Sequence, residues 1–147
     1  MKIDIISAVP DLLISPLTNS IPKRAISKGL AEFNFHNLHD YGIGKYKQID
    51  DTPFGGGAGM VLMPEPLANC IESLKVNTTY DEVIYLTPDG ETFNQKLANQ
   101  LSLTNNLIFI CGHYKGIDNG YATFMSPKKF LWGTLYLVVV KLQHVPL

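Results

Sequence analysis

The chain has 147 residues, 46% hydrophobic and 17% charged, which is enough apolar matter for one core and too little charge for a disordered tail. Twelve Lys and Arg stand against thirteen Asp and Glu, a net charge of −1, so no overall positive field draws nucleic acid or an anionic membrane, and an RNA partner needs a local patch. Arg24 is the single arginine, which leaves one guanidinium fork for bidentate phosphate or guanine contacts.

Along the chain, Lys2 to Ser7 reads as a short strand rich in β-branched residues, closed by Pro10. Ser20-Ile21-Pro22 opens a helix that runs to Lys28, with Gly29 as its C′ residue and Ile21, Ala25 and Ile26 as its inner face. From Leu30 to Leu38 the alternation of Ala31, Phe33 and Phe35 with Glu32, Asn34 and His36 predicts a half-buried strand. Asp40 to Met60 has no period, and five glycines follow Gly42, so it reads as one long irregular connection. Pro64 to Lys75 returns to helical spacing through Leu67, Ala68, Ile71 and Leu74, with Cys70 at the margin of that face. Glu82 to Leu86 is a strand ending in the turn sequence Thr87-Pro88-Asp89-Gly90. Phe93 to Leu101 is a helix with Leu97, Ala98 and Leu101 inward, and Leu107 to Cys111 is an apolar run of the kind buried on both faces of a parallel sheet. Strands alternating with helices predict an α/β fold, a mostly parallel sheet with helices on both faces. No stretch approaches the ~20 apolar residues of a membrane span, and the first residues carry no signal segment. With two distant cysteines, Cys70 and Cys111, the expectation is a cytoplasmic protein with reduced, buried thiols and no membrane contact.

Three motifs stand out. The run from Asp50 to Met60 places Gly55, Gly56, Gly57 and Gly59 within five positions, where backbone N–H groups approach an anion or nucleotide closely. It lacks the strict phosphate-loop spacings, and Asp50 and Asp51 have no further ligands spaced for a metal, so no metal site is expected. Tyr85 to Gly90 and Cys111 to Gly116 both follow strands expected to be neighbours, and in open α/β sheets ligands sit outside the carboxyl ends of strands. His113, in the second loop, is a titratable group near neutral pH, although most lone loop histidines are merely solvated.

Together, DDTPFGGGAGMVL from Asp50 to Leu62, LTPDG from Leu86 to Gly90 and CGHYKGID from Cys111 to Asp118 resemble the bacterial tRNA (guanine-N1)-methyltransferases of the SPOUT class. The likeness runs from Met1 to about Asp118, in the same motif order. It implies a SPOUT-type domain over 1–118 with a deep trefoil knot, S-adenosylmethionine as cofactor, a homodimer, and methyl transfer to N1 of the guanine just 3′ of the anticodon of tRNA. Carried over residue by residue, Tyr85, Leu86, Thr87, Pro88 and Gly90 match the first cofactor loop, and Gly112, Tyr114, Lys115 and Gly116 the second. Asp50, Asp51, Gly55, Gly56, Gly57 and Gly59 match a segment near the target guanine and tRNA. Lys115 departs from the Glu of many members, which touches the methionine end of the cofactor.

The resemblance also implies a third cofactor loop and a basic C-terminal domain carrying a general-base aspartate, and neither is recognisable after Asp118. Permitted codons for Tyr121 to Leu147, read from the third base of each, yield a peptide such as CNFYVTEEISLGDFIFSGGEAAACAA, close to that third loop. Val138-Val139-Val140-Lys141, written GTG GTG GTG AAG, gives the core of S-G-G-E. The expectation is a frame change between about Asp118 and Tyr121, an aberrant segment 119–147, an incomplete knot, and little activity without the aspartate. Two alternatives stay open at this point. Residues 119–147 would be a genuine last strand on the sheet, or the chain a residual S-adenosylmethionine- or nucleotide-binding module without catalysis.

Overall fold

The computed structural model describes residues 1–11, 14, 20–51, 61–91, 95–111 and 128–130. Five strands form one parallel sheet: β1 (Lys2–Ser7), β2 (Glu32–Asn37), β5 (Glu82–Glu91), β6 (Asn106–Cys111) and β7 (Lys128–Phe130), in the order β2-β1-β6-β5-β7. A two-stranded antiparallel ribbon, β3 (Asp50–Asp51) with β4 (Val61–Leu62), stands apart from it. The helices are α1 (Ser20–Ser27), α2 (Pro64–Lys75) and α3 (Gln95–Ser102).

The continuous apolar run Leu107 to Cys111 becomes the central strand, β6, with β1 and β5 beside it. In β1 and β6 the side chains alternate between two cores. Ile3, Ile5, Leu107, Phe109 and Cys111 pack with Ala25 of α1 and Leu101 of α3 on one face. Ile6, Ile108 and Ile110 pack with Leu67, Cys70 and Ile71 of α2 on the other. Helices therefore cover both faces, as the α/β pattern predicts.

Local chemistry explains most boundaries. The α1 end is a Schellman motif: Leu30 N–H donates to the Ala25 carbonyl at 2.9 Å and Gly29 N–H to that of Ile26 at 3.0 Å. This needs a left-handed C′ residue, and Gly29 supplies φ +73°. Pro64 lies in the first turn of α2, where its missing N–H costs no helical bond.

Three details differ from the sequence reading. Ile26 is exposed while Ala25 is buried, because α1 has only two turns and a narrow inward stripe. Cys70 is fully buried at the centre of the α2 face rather than at its margin. The connection from Asp40 onward carries order. A 3-10 turn, Leu38–Tyr41, is capped by the Asn37 side chain accepting from His39 N–H. Ile43 and Gln48 then bridge, and β3 pairs with β4. Two-residue strands leave too short a pattern for periodicity to reveal. Strand β7 falls within 119–147 and pairs parallel with β5. The segments that would close a knot, 112–127 and 131–147, lie outside the described residues, as does the apolar stretch Leu135 to Val140.

Candidate functional site

The register of the sheet sets one row across its carboxyl edge. Asn37 pairs with Ser7, Ser7 with Cys111, Cys111 with Leu86, and Leu86 with Phe130. Leu86 and Cys111 therefore stand at the same level on neighbouring strands, as expected, but only β6 ends there, while β5 runs on to Glu91. Beyond β1 the chain turns outward to β2, whereas beyond β6 it crosses β5 to reach β7. In open α/β sheets ligands sit where connections diverge from adjacent strands, outside their carboxyl ends, and in this strand order that place lies at Ser7 and Cys111.

The residues under that edge are neutral. Tyr85 is buried in the α2-side core, and Cys111 is buried on the other. Burial pushes the Cys111 thiol up to about 12, so at neutral pH it stays protonated and is no nucleophile. The Ser7 hydroxyl accepts the Val9 N–H at 3.1 Å, turning the chain away from the row. Past Leu86 the ladder to β7 is interrupted: both Leu86 and Glu91 pair with Phe130, leaving Thr87, Pro88, Asp89 and Gly90 between them. A Pro-containing turn sequence cannot keep donating to a ladder, so the expected turn becomes a break inside one long strand.

Of the other residues singled out above, Asp50 is half-buried and opposite Leu62, and Asp51 opposite Val61. Gly55, Gly56, Gly57, Gly59, Gly112, His113, Tyr114, Lys115 and Gly116 lie outside the described residues, as do the side chains of Asp51, Leu86, Thr87 and Pro88.

Sequence reasoning missed a polar cluster on the α2 face. Asp4, 1% exposed, accepts from the Tyr80 hydroxyl at 2.6 Å and lies 2.8 Å from His36 Nε2. Lys2 Nζ is 3.9 Å from the same carboxylate and donates to Thr78 Oγ1 at 3.2 Å. The available signal was Asp4 itself, an acid among isoleucines in a strand, which a buried sheet tolerates only with partners. Burial works to raise the Asp4 pKa. The bonds to His36 and Tyr80 and the charge of Lys2 outweigh it and hold the carboxyl below the usual range. The cluster ties the amino-terminal half of β1 to the entry of β5 and to His36 of β2, one residue short of the edge row.

The comparisons with known proteins fit this architecture. A sequence model of the family described as "tRNA (Guanine-1)-methyltransferase TrmD" matches residues 1–133. The chain belongs to this family. A tRNA (guanine-N(1)-)-methyltransferase of Chlorobaculum tepidum is 60% identical over 118 residues, covering 80% of this chain and 51% of that protein. One from Flavobacterium psychrophilum is 61% identical over 118 residues, covering 80% and 52%. The chain thus spans about half the length of the curated relatives it matches. The crystal structure of tRNA (m1G37) methyltransferase from Aquifex aeolicus superposes with a TM-score of 0.84 at 28% identity, covering 99% of this chain and 69% of that one. The methyltransferase fold of the TrmD family, of the SPOUT class, accounts for the strand order and for the row of carboxyl ends. Among the described residues no helix is long and apolar enough to cross a membrane.

Proposed function

We propose that the crevice above Ser7, Cys111 and Leu86 holds S-adenosylmethionine, and that the fold serves a tRNA (guanine-N1)-methyltransferase acting on the guanine just 3′ of the anticodon. The observation that carries this reading is the shared row of Cys111 and Leu86, which starts both cofactor-loop sequences from adjacent strands. The chemistry of the edge fits the group. The described residues beneath it, Tyr85 and Cys111, are buried in the two cores and uncharged, so no buried charge there favours a phosphate over an adenine and a thioether. Tyr85, Leu86, Thr87, Pro88 and Gly90 in the first loop, and Gly112, Tyr114, Lys115 and Gly116 in the second, would hold it. Bound there, S-adenosylmethionine supplies an electrophilic methyl group. Peptide N–H and C=O groups of Gly and Pro loops recognise adenine without a charged side chain, and a neutral Cys111 offers no competing nucleophile. Asp50, Asp51 and the glycines Gly55, Gly56, Gly57 and Gly59 would face the tRNA, and two chains would form a homodimer in the cytoplasm.

Domain 1–118 carries the cofactor function in this reading, and residues 119–147 are the product of a shifted frame. Their shifted-frame peptide supports it, whereas the family match through residue 133 and the pairing of Lys128–Phe130 with β5 favour a genuine strand over that part of the segment. A methyl-transfer assay on unmodified tRNA tests the proposal with two proteins, the 147-residue chain and the product of a gene with its frame restored after Asp118. The restored protein is expected to form N1-methylguanine at least about a hundredfold faster, the scale of general-base catalysis. No product from the restored protein overturns the enzymatic reading. Equal turnover by the two overturns the shifted-frame reading of residues 119–147.

A further inference from the structure

The segment between the 3-10 turn and β3 is a built projection that no part of the cofactor reading uses. Ile43 N–H donates to the Gln48 carbonyl at 2.8 Å and Gln48 N–H to that of Ile43 at 2.9 Å, closing a four-residue turn over Gly44, Lys45, Tyr46 and Lys47. Lys47 N–H donates to the Gly44 carbonyl at 3.2 Å inside it. Gly44 has φ +76°, and Lys47, at φ 51°, is the one non-glycine with positive φ among the described residues. A long side chain in that region costs of order 1 kcal/mol, so the surroundings must hold it there. A Cβ on Gly42 would overlap the Lys47 carbonyl, which shows how closely the two backbones pass. His39 Nδ1 lies 3.5 Å from the same oxygen. Behind the turn, Ile49 is buried in the α2-side core, and its carbonyl accepts Met63 N–H at 2.7 Å.

What this anchored turn presents is an exposed aromatic ring between two exposed lysines in the chain. Tyr46 is 87% exposed, far beyond the exposure that packing leaves most tyrosines. Lys45 Nζ lies 5.9 Å from its ring centroid. Lysines at both neighbours of an open ring match a single-stranded nucleic acid, whose phosphates take the cations while a base stacks on the ring. In a chain of net charge −1, this is a local patch of the kind an RNA partner requires. The turn also runs through Gln48 and Ile49 directly into Asp50 and Asp51 of β3. We infer that Lys45, Tyr46 and Lys47 form an RNA contact, with Tyr46 stacking on an unpaired base of the substrate tRNA and the lysines pairing with its phosphates. The inference rests on the tRNA reading above.

Binding of a fluorescein-labelled anticodon stem-loop to the 147-residue chain is followed by anisotropy over a salt series, without cofactor. Y46A is expected to weaken binding roughly five- to a hundredfold with an unchanged salt slope, the range of one base stacked on an aromatic side chain. Y46F should restore it. K45Q combined with K47Q is expected to lower the log–log salt slope by about 1.4, two phosphate contacts' worth for a single strand. All are surface changes, so circular dichroism should match the wild type. A wild-type chain that binds no RNA, or an affinity and slope unmoved by either set of substitutions, overturns the contact. Tyr46-dependent capture by phosphatidylserine vesicles in place of RNA overturns it in favour of a membrane. Turn-dependent RNA binding with no methyl transfer from the frame-restored protein would instead overturn the enzymatic reading alone.

Discussion

Asp4→Ala is expected to lower the unfolding free energy by about 3 kcal/mol, two hydrogen bonds to a buried carboxylate at roughly 1.5 kcal/mol each. The two are those to Tyr80 and His36, at 2.6 and 2.8 Å. Nothing is added for the Lys2 ammonium, whose side chain is 34% exposed at 3.9 Å and whose pull is screened by solvent. Asp4→Asn keeps a carbonyl for one donor and should cost about half as much. The effect depends on pH in a defined direction. Because the folded-state pKa of Asp4 is lowered, its contribution is fully present above the unfolded value, near 3.8. It is lost as pH falls through the folded value. Urea midpoints of wild type and Asp4→Ala should therefore stay separated from neutral pH down to about 4 and converge below it. Equal midpoints at neutral pH would show that the cluster contributes nothing net.

The second large effect is expected at Phe109. It is fully buried in β6, between β1 and β5, in the core that α1 and α3 cover. Phe109→Ala removes a ring at a place where neighbours on two strands cannot close in, and the expected loss is about 3–5 kcal/mol. For a domain with about 5–15 kcal/mol in total, that is a large share, and the urea midpoint measured by circular dichroism should fall accordingly. Phe109→Leu keeps most of the volume and should cost about 1 kcal/mol. A small loss for alanine together with a large one for leucine would contradict this packing. Phe109 is two residues from Cys111, so the ring that stabilises the strand also fixes where the second loop sequence begins.

How much of this was legible in the sequence follows from the physics of each signal. The run Leu107 to Cys111 has no polar face, and only a strand covered on both sides accommodates it, so its central place was readable. Gly29 after a helical stretch announced its own left-handed cap, and Pro64 the start of α2. The adjacency of the loops after Leu86 and Cys111 was likewise expected, because consecutive βα units place their carboxyl ends together. Other features carry no periodicity. The partners of Asp4 come from Lys2, His36, Thr78 and Tyr80, far apart in the chain, and only the sheet order brings them together. The Gly44–Lys47 turn depends on a close pass between Gly42 and Lys47 that a glycine alone does not reveal. Ile26 reads as inward by composition and points outward because its helix is short.

The central claim is that the carboxyl edge of β5 and β6 takes S-adenosylmethionine, and calorimetric titration of the folded 147-residue chain with this compound tests it most directly. The prediction is saturable binding at one site per chain that is weakened at least about tenfold by Gly90→Val, which puts a branched side chain where the proposed site needs close approach of the backbone to its ligand. No binding heat from a chain that shows a cooperative thermal transition, or binding that Gly90→Val leaves unchanged, would contradict it.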